Sequence, residues 1–120
     1  MRLINVSDLI GVPYKDNGRT VEGLDCYGLA IEVERRFGKE LRDAVYDNYD
    51  IELSQKWAPL LNVRPVDFIK AGALLEIHIK DRIHIAVALD SVRMIHATVN
   101  QGVRISKIAA YKIAGIYEVL

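Results

Sequence analysis

The sequence predicts an α+β domain in which helical segments come first and short antiparallel strands follow. Two observations support this prediction. Residues 25–38 place apolar side chains on a 3.6-residue period, whereas the residues from Gly72 onward alternate with a period of two. Helices that precede strands, instead of alternating with them, favour an antiparallel sheet over a parallel one.

The strongest helical signal is "DCYGLAIEVERRFG", residues 25–38. Its apolar stripe comprises Cys26, Leu29, Ala30, Val33 and Phe37. Asp25 is a suitable N-cap because its carboxylate can accept hydrogen bonds from the free N–H groups of the first turn. Two arginines in the last turn suit the helix dipole, and Gly38 is a natural stop. We therefore predict a helix over about residues 26–37, with Cys26 in its first turn.

A second, weaker helix is predicted over about residues 51–61, and Pro59 and Pro65 limit its extension. Its apolar surface would come from Ile51, Leu53, Trp57, Leu60 and Leu61. The polar segment 14–24, which contains two glycines, is predicted to be a loop. This loop and those at 42–50 and 98–102 would shape any binding pocket.

The second half of the chain predicts a sheet of four or five short antiparallel strands joined by hairpins. Its segments are rich in Ile, Val and Leu and are separated by turn residues such as "KDR", "DS" and "NQG". The segments are "ALLEIHI" (73–79), "IHIAVAL" (83–89), "VRMIHAT" (92–98), "GVRISKI" (102–108) and "IAGIYEV" (113–119).

The whole chain, residues 1–120, is expected to form a single domain. Sixteen basic residues balance sixteen acidic ones without a basic stripe, which argues against a nucleic-acid partner. No apolar stretch approaches the ~20 residues that span a membrane. The first residues contain no apolar core of a signal peptide, so we expect synthesis in the cytoplasm without an export signal.

Cys26 is the only cysteine, which excludes an internal disulfide and leaves an inert buried thiol or a reactive one. The thiolate is the reactive form, and a helix N-terminus or a neighbouring imidazole lowers the pKa of a thiol. The same helix start presents backbone N–H groups to an oxyanion. The position of Cys26 therefore suits a nucleophile if a histidine can reach it.

His84 and His96 are the candidate partners, and the loop between their strands decides whether they share a face. Alternation puts His84 on a face with two alanines, which leaves room beside its ring. A two-residue loop at 90–91 would place the two histidines on opposite faces. A three-residue loop at 90–92 would put His96 opposite Ala86 and diagonal to His84, whereas a five-residue loop would put them directly opposite. The residues alone leave these alternatives open.

Other interpretations of the histidines are structural. Each of His84 and His96 could be an ordinary strand histidine with a hydrogen-bond partner, and His78 could be solvated beside Glu76. The spacing of Cys26 and the three histidines is not typical of a zinc site. We therefore expect no metal site and no cofactor.

These residues also carry a family resemblance. The stretch "GVPYKDNGRTVEGLDCYGLA" resembles the nucleophile motif of the NlpC family of bacterial cell-wall cysteine peptidases. The stretches "GALLEI", "RIHIAVAL", "RMIHA" and "GVRIS" resemble the second half of the same family, in the same order. The resemblance spans Gly11 to Ile105. It implies a papain-like α+β fold, with N-terminal helices packed on a sheet of four or five antiparallel strands.

The resemblance also implies roles for individual residues. Cys26 would be the nucleophile, His84 the general base, and His96 the residue that orients the His84 ring. Tyr14 would contact the substrate or the oxyanion. Asp25 matches the residue before the family's cysteine, and we interpret it as a helix cap. Tyr27, Ala73 and Ala86 depart from the family pattern, but none of them lies at the three proposed catalytic positions.

The activity implied is that of a cysteine endopeptidase that cuts stem peptides of peptidoglycan, such as the bond between γ-D-glutamate and a diamino acid. Tyr27, where most members have serine, is similar to the phage-tail and prophage branch. This suggests a tail-associated enzyme that opens the cell wall locally, with tail-tip proteins as partners. Two alternatives stay open: a structural tail or assembly protein without required chemistry, and a related amidase, acyltransferase or interbacterial effector.

Overall fold

The computed structural model describes residues 4–43, 62–80 and 82–120. Its α-helix, α1, spans Cys26–Arg36, which confirms the predicted helix and its start at Cys26. The Asp25 carboxylate accepts a hydrogen bond of 2.7 Å from the Gly28 backbone N–H, so Asp25 is the predicted N-cap. The second helix predicted over residues 51–61 lies outside the described residues.

The described strands form a two-stranded and a six-stranded sheet, and every neighbouring pair of strands is antiparallel. The small sheet pairs β1 (Arg19–Thr20) with β2 (Gly23–Leu24). The large sheet has the order β3-β8-β4-β5-β6-β7. Its strands are β3 (Val63–Pro65), β4 (Leu74–Ile79), β5 (Arg82–Ala88), β6 (Arg93–Thr98), β7 (Gly102–Lys107) and β8 (Ile113–Val119).

Five strands of the large sheet confirm the five predicted segments, and β3 adds a sixth. Because β3 has only three residues and ends in Pro65 at the sheet edge, its sequence shows no alternation. The hairpin of β1 and β2 lies within the segment 14–24, which we predicted to be a loop. Its two-residue strands are too short to produce a periodic pattern, and Tyr14 adds a parallel bridge to Leu24.

The large sheet has a separate apolar core on each face. The helix-side core packs α1 against β5 and neighbouring strands; its members include Leu29, Val33, Ile83, Ile85, Val87 and Ile95. The far-side core covers the opposite face; its members include Leu75, Ile77, Ala86, Ala88, Met94 and Ile108. Because side chains alternate along β5, His84 shares the face of the far-side core.

Four residues, 89–92, separate β5 from β6, and the pairing of Leu89 with Arg93 leaves a three-residue loop, which selects one of the alternatives left open above. The Leu89 backbone N–H donates to the Arg93 carbonyl oxygen at 2.8 Å, and this pair closes the loop 90–92. The Cα partners Val87–Ile95 and Ala88–Met94 continue the same register. One step further along, His96 falls opposite Ala86 and diagonal to His84.

We predict that Gly28→Ala destabilises the domain, although alanine favours a helix by about 1 kcal/mol over glycine. A Cβ atom at position 28 would lie 2.0 Å from the Gly18 carbonyl oxygen, which is backbone and cannot move aside cheaply. The expected loss is about 1–3 kcal/mol of unfolding free energy, measured by urea denaturation.

Gly115→Ala is the matched control. There the nearest neighbour of an added Cβ atom is the Tyr117 ring, at 3.0 Å, and a side chain can rotate. Gly115→Ala should therefore cost less than Gly28→Ala. A Gly28→Ala protein as stable as the parent would contradict the close packing of α1 on the preceding loop.

Candidate active site

Cys26 lies where α1 meets β5. It is 3% exposed and belongs to the helix-side core, and the Ile85 backbone N–H faces its sulfur closely enough to lower the pKa of the thiol. Alternate amides of β5 face β6, as the bond from Leu89 shows, so the Ile85 amide also points toward β6. Among the described pairs the β5–β6 ladder stops at Val87, so the Ile85 amide has no described β6 partner. Cys26 is thereby held against the residue next to His84.

Asp25 holds the loop before α1 against the start of the helix. Its side chain is fully buried, and besides capping α1 it accepts hydrogen bonds from the Asn17 backbone N–H at 3.1 Å and from Arg19 Nη1 at 2.8 Å. Arg19 also donates to the Gly18 carbonyl oxygen. The carboxylate therefore joins the helix start to the loop before it, a structural role that the sequence predicted only as a cap.

The two histidines are in direct contact on the far side of β5. His84 Nε2 and His96 Nδ1 are 2.7 Å apart, and the ring centroids are 5.0 Å apart. His96 Nε2 is 2.8 Å from Ser106 Oγ on β7, and the Tyr111 ring packs edge-on against His96. The sheet therefore holds a continuous hydrogen-bonded row of His84, His96 and Ser106.

Ser106 was not identified from the sequence. The signal was nevertheless present, because the tight turn at 99–101 pairs His96 with Arg104 and Met94 with Ser106. Ser106 therefore shares the His96 face and lies diagonal to it. A hydroxyl can accept or donate a hydrogen bond, so Ser106 can accommodate a His96 ring that carries its proton on Nε2. In that tautomer, His96 Nδ1 accepts from His84 Nε2, and His84 Nδ1 keeps a free lone pair.

Both imidazoles are held in the neutral form. Burial lowers the pKa of His84 to about 4, and the neighbouring His96 charge adds to the shift. Burial likewise lowers the pKa of His96 to about 4, with a further contribution from Arg104. At neutral pH neither ring carries a charge, and His84 can accept a proton.

The thiol is also neutral, in contrast to the expectation that a helix start lowers its pKa. Burial raises the pKa of Cys26 to about 12, and the Asp25 charge adds to this effect. The Ile85 amide and the first backbone N–H groups of α1 act in the opposite direction but do not outweigh burial. A helix terminus contributes at most about 2 kcal/mol, whereas a fully buried group can shift by several pKa units. Cys26 and His84 are therefore an uncharged thiol and imidazole in this structure.

Tyr14 and Glu76 are two further ionisable residues whose side chains are wholly or partly buried. Tyr14 is partly buried, and burial followed by the charges of Cys26 and Asp25 raises the pKa of its phenol to about 12. On β4, Glu76 is the cross-strand partner of Ile85; it accepts a hydrogen bond from the Tyr117 hydroxyl at 3.0 Å and contacts His78. His78 therefore lies beside Glu76, as the sequence allowed.

Within residues 4–43, 62–80 and 82–120, no group of three or more His, Cys, Asp and Glu side chains is placed to hold a metal ion. In the same parts of the chain, no helix has the length and apolar character needed to cross a membrane.

A helix that begins with cysteine and packs on an antiparallel sheet beside a histidine strand defines the papain-like α+β class. The NlpC/P60 family profile matches residues 11–115 of this chain. The chain therefore belongs to the NlpC/P60 family.

Among solved structures, the chain is similar to the crystal structure of the NlpC/p60 domain of the peptidoglycan hydrolase SagA. The two share 23% sequence identity with a TM-score of 0.65, and the alignment covers 92% of this chain and 90% of that chain. At this identity the likeness establishes a shared fold. A comparison with curated proteins found no match.

We predict that the His84 and His96 resonances titrate at about pH 4 in the folded protein and that the same two rings titrate near pH 6.5 in urea. Because the unfolded chain binds more protons between these values, His84 and His96 contribute stability that is lost as the pH falls from 6.5 toward 4. Proton NMR of the imidazole rings measures this directly, and His84→Gln and His96→Gln assign the signals. Titration of both rings at or above pH 6.5 would contradict their burial.

Proposed function

We propose that this protein is a cysteine peptidase that hydrolyses stem-peptide bonds of peptidoglycan, with Cys26 as nucleophile and His84 as general base. The observation that carries the proposal is that the Ile85 backbone amide, next to His84 in the chain, faces the Cys26 sulfur. The His84 ring is in turn hydrogen-bonded to His96. Membership of the NlpC/P60 family supports it, as does the likeness to a domain of a peptidoglycan hydrolase.

The proposed reaction starts from the neutral pair. As the Cys26 sulfur attacks the scissile carbonyl carbon, its proton passes to His84 Nδ1, and a carbon–sulfur bond forms. Backbone N–H groups at the start of α1 and the Tyr14 hydroxyl are the proposed donors to the oxyanion. The imidazolium then gives its proton to the leaving amine as the peptide bond breaks. Water, deprotonated by His84, hydrolyses the thioester and restores the thiol.

His96 and Ser106 are proposed as positioning residues. A His96 ring that donates from Nε2 to Ser106 Oγ keeps Nδ1 free to accept from His84 Nε2. This row orients His84 with its Nδ1 lone pair available and stabilises the imidazolium that forms during attack. The row is fixed by backbone register across three strands, which holds the His84 ring in one orientation.

The finer substrate assignment is the bond between γ-D-glutamate and a diamino acid, which the family resemblance suggests.

We also propose that the protein acts as a component of a phage or prophage tail. The supporting feature is Tyr27, whose buried side chain donates a hydrogen bond to the Arg42 carbonyl oxygen. Co-purification with tail-tip proteins would support this delivery route, and a gene remote from tail genes would count against it.

Digestion of purified sacculi tests the proposal. The parent protein should release stem-peptide fragments whose masses correspond to cleavage at a peptide bond, whereas Cys26→Ala and His84→Ala should release none. Product masses that show cleavage between the sugar and the peptide would identify an amidase instead. If the parent protein releases no product while Cys26 still reacts with an acyl donor, the activity is acyl transfer.

A second candidate is a structural tail or assembly protein that keeps the fold without chemistry. The burial of Cys26 and the pKa of about 12 for its thiol favour this alternative. Release of no fragments by the parent, together with tail assembly that is unchanged in Cys26→Ala, would establish it against the peptidase.

We predict that Ser106→Ala lowers kcat about five- to tenfold, since a neutral hydrogen bond contributes about 1 kcal/mol. KM should change little because Ser106 acts through His96 and does not contact the substrate. Ser106→Thr keeps the hydroxyl and should restore the rate, and Ser91→Ala at the β5–β6 turn is the control for a neutral serine replacement. A Ser106→Ala enzyme with unchanged kcat and pH profile would contradict the proposed row.

A further inference from the structure

Glu34 is a buried carboxyl group that the proposed reaction does not use. It lies in the last turns of α1 and is fully buried, and neither of its carboxyl oxygens has a hydrogen-bond partner among the described residues. Eight residues of helix separate it from Cys26, a distance of about 12 Å along the axis. Because buried polar atoms are normally paired, an acid with two unpaired oxygens requires an explanation.

A cavity of about 500 Å³ adjoins this carboxyl group. We call it the Glu34 cavity; its lining includes Glu34, Phe37, Ile69, Ala71, Ala73 and Val119. Its size lies within the range of sites for small molecules, and its lining combines apolar side chains with the buried Glu34 and four further charged residues. It therefore has the form of a site for an apolar chain that ends in a hydrogen-bond donor.

Two lysines and two acidic residues at the rim give no net charge, so the Glu34 carboxyl group decides which ligand suits the cavity. The rim carries Lys39, Lys70, Asp90 and Glu118, and Lys70 Nζ lies 3.8 Å from a Glu118 carboxylate oxygen. Burial raises the pKa of Glu34 to about 8, with Lys39 acting in the opposite direction. A cation that entered the cavity would therefore meet an acid ready to ionise and otherwise unpaired.

We propose that the Glu34 cavity binds a primary alkylammonium group. Because both Glu34 oxygens are closed to solvent without a ligand, the carboxyl group would turn toward the cavity on binding and accept from the ammonium, and the methylene chain would lie along the apolar walls. An ammonium fits because it carries three donors and no acceptor, whereas an alcohol carries one donor and no charge. The same chemistry occurs in free diamines and in lysine-like side chains of peptides. The proposal stands independently of the peptidase activity.

Lys39 is the internal competitor. Its backbone N–H donates to the Glu34 carbonyl oxygen at 2.8 Å, so its side chain starts close to the cavity. If the Lys39 ammonium turns inward in solution, it would occupy the position of the ligand. Replacing Lys39 by methionine removes the charge and keeps the chain length, so Lys39→Met should bind an added amine more tightly than the parent.

Calorimetric titration of the full chain tests the proposal with pentane-1,5-diamine and Nα-acetyl-lysine methylamide. Pentan-1-ol and the Nε-acetylated lysine derivative are the uncharged controls and should bind at least tenfold more weakly. Glu34→Gln should lose at least tenfold in affinity for the amines. Glu32→Gln, which removes a carboxylate from the same helix outside the cavity, should leave the affinity unchanged, and so should Cys26→Ala.

Binding of the diamine alone would assign a free amine as the ligand, and binding of the lysine derivative would assign a peptide side chain. If Glu34→Gln does not fold, Ala71→Leu provides the second test, because it narrows the cavity without changing its charge and should weaken amine binding. The proposal is overturned if pentan-1-ol binds as well as the diamine, or if neither the parent nor Lys39→Met binds an amine. Amine binding unchanged by Glu34→Gln would overturn it as well.

Discussion

The register of the β5–β6 hairpin is the constraint on which the candidate site depends. The three-residue loop 90–92 sets His96 diagonal to His84, and the same register places Ser106 next in the row. A loop shorter by one residue would turn His96 to the other face of the sheet and separate the rings. The end of the β5–β6 ladder at Val87 leaves the Ile85 amide to the Cys26 sulfur. One turn therefore determines whether His96 and Ser106 can line up with His84.

Burial is the second physical theme, because it keeps the Cys26 thiol and the imidazoles of His84 and His96 neutral. The pKa of Cys26 is raised to about 12 and that of His84 is lowered to about 4 by the same cause, removal from water. A permanent thiolate–imidazolium pair is therefore disfavoured in this structure. The proposed chemistry instead moves a proton during attack, when the imidazolium is stabilised by a row of hydrogen bonds that already exists. Burial also raises the pKa of Glu34, which lines a cavity and whose two carboxyl oxygens have no hydrogen-bond partner among the described residues.

Much of this arrangement could be predicted from the sequence. The 3.6-residue stripe and the Asp25 cap located α1, and the period-two segments located five strands of the large sheet, because both patterns extend over several residues. The strand β3 and the β1–β2 hairpin could not be found, since their pairing depends on tertiary contacts. The face shared by His84 and His96 depended on one turn length, which the residues did not specify. The expected lowering of the Cys26 pKa was wrong, because the sequence reveals that Cys26 starts a helix but not how deeply its thiol is buried.

The central claim is that His84 takes the proton of Cys26, and the pH dependence of Cys26 alkylation by iodoacetamide tests it most directly. If His84 is the base, the rate in the parent should rise through about pH 4 and then stay level across neutral pH, because assisted attack requires only a neutral imidazole. In His84→Gln the rate should be low at neutral pH and climb steadily with alkalinity, as the unassisted thiolate forms. Superimposable profiles for the parent and His84→Gln would contradict the claim.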